Sequence, residues 1–387
     1  MSSQGSATGG WLKWEWVWVA GLAIVALLMR VILLGRAPPG VRFDELVNVK
    51  MADHIYAGEW PIYFQEAWGH EPLYHYFHAV GMSLLGKTVL GVRLTSILFG
   101  ILGVLAAYLL FRRLFGWRVA LIAAALLATS FWSLMYSRIG LRHISLPPWI
   151  CLTAYLYWRG LETPTEKRAR TILWLGLGGL CQGLLLYTYF AIRAVPLIFG
   201  AFTFYLLLVH PDKLRGRWWG LLLFFVLPVL MITPMVLYLR QHPELEQRLG
   251  QVGAEILSGL RQGNLIPLLK SILATLKMFS IEGDPEWLYN ISGRPVFAPL
   301  TAILFYGSLL VALWRWRQPK RAFLLLWLGA GIAPTLFSWP PGSLGHSIAA
   351  QPAVYCLPAL LLVDALDWAR ERVWLRRAAQ ALAAVTL

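Results

Sequence analysis

The sequence predicts an all-α, polytopic membrane protein of about 10–11 spanning helices, with a helical first loop outside the bilayer. Three observations carry that reading. Of 387 residues, 58% are hydrophobic and only 14% are charged, against about 25% charged in soluble domains. Mean hydropathy is +0.60, and apolar runs approaching the ~20 residues needed to cross a bilayer recur along the chain. The 20 tryptophans suit the headgroup boundary, where an indole has one apolar edge and one wet edge.

The runs place spans near 15–35, 92–111, 118–136, 146–160, 171–189, 194–209, 218–239, 297–314, 321–338 and 347–366. An eleventh begins near 377 and reaches Leu387 after about half the length of a crossing, so the native chain is expected to continue. Met1–Gly10 is rich in Ser and Gly and reads as disordered. Glu15–Leu34 is too long for a signal h-region and no small-residue cleavage site follows it, so it is expected to remain as the first span. Residues 1–387 then form one transmembrane domain with two large loops, 36–93 and 240–296.

Orientation follows from Lys and Arg in the short connections. Alternate connections, such as Arg112-Arg113…Arg118 and Lys213…Arg215…Arg217, hold more than half of the 34 basic residues in dense clusters. Those are expected in the cytoplasm, with 36–93 and 240–296 outside. The net charge of +15 is therefore mainly a topology signal. Nucleic acid is excluded as a partner because the bases form no soluble patch interleaved with aromatics. Cys151, Cys181 and Cys356 lie inside apolar runs, with neither a disulfide framework nor zinc spacing.

Loop 36–93 concentrates the polar chemistry. It holds Asp44, Glu45, Asp53, Glu59, Glu66 and Glu71, with His54, His70, His75 and His78. Such groups beside a membrane are expected to be functional. Asp44–Tyr56 reads as a helix with Asp44 near its N-cap and Gly58 past its end. Glu71-Pro72 starts a second, closed by Gly86, too short to span and expected to lie in the interface. A carboxylate at a helix start, kept ionised by the dipole and free amides, suits a general base. Asp44 is the candidate base; an N-cap alone would explain it equally simply. Glu45 points about 100° away on the helix and is expected to orient or bind.

Arg138, Arg142 and His143 sit in a tiny loop between two spans, and Arg93 opens a span on the same side. Guanidinium groups there suit a phosphate, although arginines also snorkel to lipid headgroups. His70 and Glu71 complete the candidate set. Glu71 and His75, at i,i+4, could share a divalent ion, but the spacing matches no metal motif.

The order Pro38-Pro39-Gly40…Phe43-Asp44-Glu45, Gly58-Glu59-Trp60-Pro61, Glu71-Pro72-Leu73-Tyr74, Val92-Arg93-Leu94-Thr95-Ser96 and Arg112-Arg113-Leu114-Phe115-Gly116 resembles the protein O-mannosyltransferase and aminoarabinose transferase group. These are membrane glycosyltransferases of the GT-C fold. Phe131-Trp132…Ser137-Arg138-Ile139-Gly140 and Gly283-Asp284…Asn290…Gly293-Arg294-Pro295 extend the likeness along most of the chain. The resemblance implies a GT-C-like bundle in the cell membrane. It also implies transfer of a sugar, with inversion, from a polyprenyl-phosphate donor to an acceptor at the outer face. Asp44 maps onto the group's expected base and Glu45 onto the second acid of its pair. Many relatives carry another acid after the third span, where this chain has Arg138, Arg142 and His143. No cofactor is required by this chemistry, while a divalent metal at Glu71 and His75 is compatible with it; the partners are the lipid donor, membrane lipids and an acceptor. The rival reading is a transporter or lipid flippase, which calls for charged or broken helices near mid-bilayer.

Overall fold

The computed structural model describes residues 14–189, 193–245, 247–369 and 380–385. Met1–Gly10 and the predicted start of an eleventh span near 377 lie outside them; residues 380–385 are helical. Among the described residues the regular structure is helical, and the sole strand-like pairing is an isolated bridge between Phe64 and His70.

Each of the ten predicted spans falls on a helix. They are α1 (Glu15–Val31), α4 (Val89–Phe115), the pair α5 (Trp117–Thr129) and α6 (Phe131–Arg138), and α7 (Leu146–Glu162). Then come α8 (Arg168–Leu185), α9 (Val195–Val209), α10 (Trp218–Gln241), α13 (Pro299–Trp314), α14 (Pro319–Leu336) and α15 (Gln351–Ala369). The two large loops supply α2 (Phe43–Tyr56), α3 (Leu73–Leu85), α11 (Arg248–Arg261) and α12 (Ile266–Lys277).

Helix length separates these spans into two kinds. By length and composition α4, α10 and the stretch 348–369 can each cross a membrane alone, and the α5–α6 pair makes a fourth, broken span bent by 53°. The others are shorter; α9, with 15 residues, rises about 22 Å against a ~30 Å hydrocarbon core. The sequence windows counted apolar residues beyond the helix ends. Prolines in the first turns of α9, α13 and α14 fix where those helices begin.

The break within 118–136 was not legible as a span feature. Ser130 ends α5 and restarts the chain, its hydroxyl accepting from the Ser133 amide at 3.2 Å. Arg30 fills the break. Its guanidinium donates to the carbonyls of Ala26 (3.0 Å) and Ala128 (3.2 Å) and to the Ser133 hydroxyl (2.8 Å). Buried backbone carbonyls need donors, so this arginine points inward and is fully buried rather than reaching for headgroups.

α4 is the hub, packing on α1, α3, α5, α6 and α7. α8 lies between α7 and α10. Gly179 lets α8 approach α10, since a Cβ there would meet the Leu223 carbonyl oxygen at 2.8 Å; small residues serve this purpose between membrane helices. At one end of the bundle the dense basic connections meet acids: Arg112 with Glu15, Arg113 with Glu162 and Arg321 with Asp364. The opposite end gathers α2, α3 and the turns near 140, 285 and 340, as the alternation of connections predicted.

Arg30→Met leaves the Ala128 carbonyl unpaired, at a cost of about 1–3 kcal/mol. The expected result is a lowered melting temperature of the detergent-solubilised protein; unchanged melting would mean that the guanidinium does not brace the break.

Candidate active site

Arg42, not Asp44, is the N-cap of α2. Phe43, Asp44 and Glu45 are its first three residues, so the two acids leave the helix in different directions. Glu45 is fully buried and its carboxylate takes four hydrogen bonds. The donors are the amides of Arg42 (2.8 Å) and Gly140 (2.9 Å) and the Nε and Nη2 of Arg93 (2.7 and 3.1 Å). The remaining donors of Arg93 reach the carbonyls of Leu34 (3.0 Å), Pro38 (3.1 Å) and Gly40 (2.5 Å). Neither side chain has capacity left for substrate. Glu45, expected to orient or bind, and Arg93, expected to meet a phosphate, are here bonded within the fold: together they pin α2 to α4 and to the 34–40 turn.

Asn48 completes the pinning, its amide donating to the Gly140 carbonyl at 2.5 Å. Gly140 has no room for a side chain, since a Cβ would meet the Val92 carbonyl oxygen at 2.9 Å. Arg138, also expected to meet a phosphate, is likewise bonded within the fold. Its guanidinium donates to the carbonyls of Met29 (2.7 Å), Ile32 (2.9 Å) and Ala37 (2.6 Å). It therefore satisfies the orphan carbonyls at the C-terminal end of α1, where cations are favoured.

Asp44 faces a cleft of about 210 Å³. Arg142, His143 and His70, three of the predicted residues, line it too. The Arg142 guanidinium pairs with Glu71 at 2.8 Å, both nearly fully buried, and lies 5.2 Å from the Tyr189 ring centre. His143 packs at 4.1 Å on Tyr189 and near Tyr136. His70 lies 3.2 Å, nitrogen to nitrogen, from the buried His75. Burial first, then Arg142 and His78, hold the His75 pKa well below the usual imidazole value, so this ring is uncharged at neutral pH.

The divalent-ion idea for Glu71 and His75 does not fit. Glu71 is committed to Arg142, and no group of three or more His, Cys, Asp and Glu side chains is suitably gathered among the described residues.

The sequence reading missed the far wall. Glu286 and Tyr289, from the second large loop, line the cleft together with Asp44, and Ser343, Gly345 and His346 close it. Tyr289 donates its hydroxyl to the Asp44 carboxylate. Burial first, then that carboxylate, push the phenol pKa up, so it remains a proton-bearing donor. Asp284 sets this wall in place by accepting from the amides of Glu286 (2.9 Å) and Leu344 (2.8 Å). Asn290 draws the same turn closed through the carbonyls of Asp284 (3.0 Å) and Arg294 (2.8 Å). The Gly283-Asp284…Asn290…Arg294 pattern was the available signal; that Tyr289 reaches Asp44 could not be read from it.

Comparison with known proteins agrees with this fold. Residues 69–238 match the model of the dolichyl-phosphate-mannose-protein mannosyltransferase family. A 128-residue stretch is 33% identical to the undecaprenyl phosphate-alpha-4-amino-4-deoxy-L-arabinose arabinosyl transferase of Pseudomonas aeruginosa strain LESB58, covering 30% of this chain and 23% of that protein. The archaeal oligosaccharyltransferase of Archaeoglobus fulgidus, solved with an inhibitory peptide and a dolichol-phosphate, superposes with a TM-score of 0.65 at 17% identity, over 97% of this chain and 54% of its own. ArnT from Cupriavidus metallidurans, bound to undecaprenyl phosphate, gives 0.57 at 19% identity, over 92% and 61%. The chain thus spans little more than half the length of these solved relatives. It has their fold, the GT-C fold of membrane glycosyltransferases, and resembles the mannosyltransferase and aminoarabinose transferase group as its motifs indicated.

Glu45→Gln breaks a buried ion pair at a cost of about 3–5 kcal/mol, whereas Asp44→Asn keeps an acceptor for Tyr289. Thermal unfolding in detergent is expected to separate them, with a large loss for the first and little change for the second.

Proposed function

We propose that this chain is a membrane glycosyltransferase that moves a sugar from a polyprenyl-phosphate donor to a hydroxyl or amine acceptor, at the outer face of the cell membrane. The observation that carries the reading is the cleft itself: an acid of the first loop, Asp44, held there by the Tyr289 hydroxyl, lines the same small space as Arg142 and His143. The cleft lies at the end of the bundle away from the dense basic connections, the end expected outside the cytoplasm.

Asp44 accepts the proton of the acceptor as its oxygen or nitrogen attacks the anomeric carbon. The bond from that carbon to the phosphate oxygen breaks on the opposite side, its electron pair leaving with the phosphate, and configuration inverts. An oxocarbenium-like transition state is expected, as in glycoside hydrolysis. The growing negative charge on the phosphate is stabilised by preorganised positive groups in a site that excludes water. Arg142 is the cation in place for it. Because Glu71 neutralises part of that charge, Arg142 favours the developing dianion without holding the bound product too firmly. Tyr289 fixes the rotamer of Asp44 until an acceptor shares or takes its hydrogen bond, and Glu286 supplies a second carboxylate for a substrate hydroxyl.

The transporter reading has less support. The buried arginine at the α5–α6 break bonds to the carbonyls of Ala26 and Ala128 and to Ser133, while the acid and cations of the cleft sit at the bundle end rather than along a path through it.

Full-length protein in liposomes is expected to transfer radiolabelled sugar from an undecaprenyl-phosphate donor. Asp44→Asn should lower kcat by about 10²–10⁴-fold with melting preserved. Retention of full activity by that variant removes Asp44 from the base role.

A further inference from the structure

One residue of the cleft is held in a backbone conformation that its type resists. Ala67, Trp68 and Gly69 have φ of 46°, 67° and 105°, three successive left-handed residues, and Leu33 is the sole other non-glycine with positive φ among the described residues. For a residue with a bulky side chain this region is disfavoured and persists only where the surroundings over-determine it.

They do so here. The backbones of Phe64 and His70 exchange hydrogen bonds of 2.9 and 2.8 Å, closing the 64–70 turn at its base. Glu66 is tied to α2 through His54 (2.9 Å) and Lys50 (3.7 Å). Gly69 packs on the buried Tyr63 so closely that a Cβ would lie 2.2 Å from the phenol oxygen. What this bracing presents is an indole that is 55% exposed and forms a wall of the cleft shared with Asp44 and Arg142.

Anchoring at the membrane boundary is the ordinary use of a tryptophan beside a bilayer. Trp60 illustrates it: 71% exposed, stacked on Tyr76 at 5.5 Å and not part of the cleft. Such an anchor needs neither a left-handed backbone nor a place beside the candidate base.

The geometry points to Trp68 as the stacking face for the donor's sugar ring in the Asp44 cleft, and so as a residue that governs sugar binding and choice. The proposal rests on the glycosyltransferase reading and adds to it where the sugar sits. A sugar ring has one face of C–H groups, which the negative face of an aromatic ring attracts, and an edge of hydroxyls, which carboxylates such as Glu286 accept. An indole on one wall with carboxylates on another matches both. The braced turn fixes the Trp68 backbone beside the cleft before the sugar arrives, so that less ordering is left for binding to supply.

The test compares two probes with the detergent-solubilised full chain: undecaprenyl phosphate, and undecaprenyl phosphate bearing one mannose or one aminoarabinose, whichever the wild type binds more tightly. Trp68→Ala is expected to weaken binding of the sugar-bearing lipid at least tenfold, to leave undecaprenyl phosphate unchanged, and to be largely rescued by Trp68→Phe. Trp68→Gly supplies an independent readout. It relieves the left-handed backbone and is expected to raise the melting temperature while losing the same sugar-dependent affinity; a merely structural tryptophan would lose stability instead. Equal loss for both lipids, or no loss for either, overturns the proposal. Failure of the wild type to bind either lipid overturns the donor reading beneath it, a result distinct from any Trp68 effect.

Discussion

The buried pair of Glu45 and Arg93 is the constraint on which the functional end of this bundle depends. An ionised carboxylate out of water is tolerable only when its lone pairs are occupied, and Glu45 draws its donors from three separate parts of the chain: Arg42, Arg93 and Gly140. Satisfying one charge therefore fixes the first loop, the hub helix α4 and the turn after α6 relative to one another. Asp44 is the neighbouring residue and inherits that rigidity while its own side chain stays turned to the cleft.

The rest of the cleft follows the same logic of one committed group supporting one available group. Arg142 lines the cleft and is balanced by Glu71. Asp284 spends its carboxylate on the amides of Glu286 and Leu344, and Tyr289 on the same turn reaches Asp44. His75, uncharged by burial beside Arg142, backs His70 without adding a second positive charge. The result is a small space whose charges are few and individually braced, as electrostatic preorganisation requires.

Sequence reasoning reached the apolar helices, the two large loops and the place of Asp44 in the first turn of a helix because each leaves a local mark: apolar length, loop composition, or an acid at a helix start. It failed where the same residue type serves either purpose. An arginine beside an outer loop looks alike whether it faces a phosphate, as Arg142 can, or completes a helix end, as Arg138 does with the carbonyls of Met29 and Ile32. Carbonyls that need donors are invisible in a sequence, and so is the Ser130 break that claims Arg30. Glu286 and Tyr289 were missed for a different reason. Their turn was recognised as a motif, but its meeting with the first loop is a tertiary contact with no local signature.

The bond from Tyr289 to Asp44 joins residues 245 positions apart, and this has a consequence for biogenesis. With ribosomes adding about 5–20 residues per second, N-terminal parts settle first, and Asp44 would wait roughly 12–50 s for Tyr289. During that interval Asp44 has no phenol to fix it and no enclosing surface. The cleft is thus complete only once the polypeptide around position 345, which brings Ser343, Gly345 and His346, has been made.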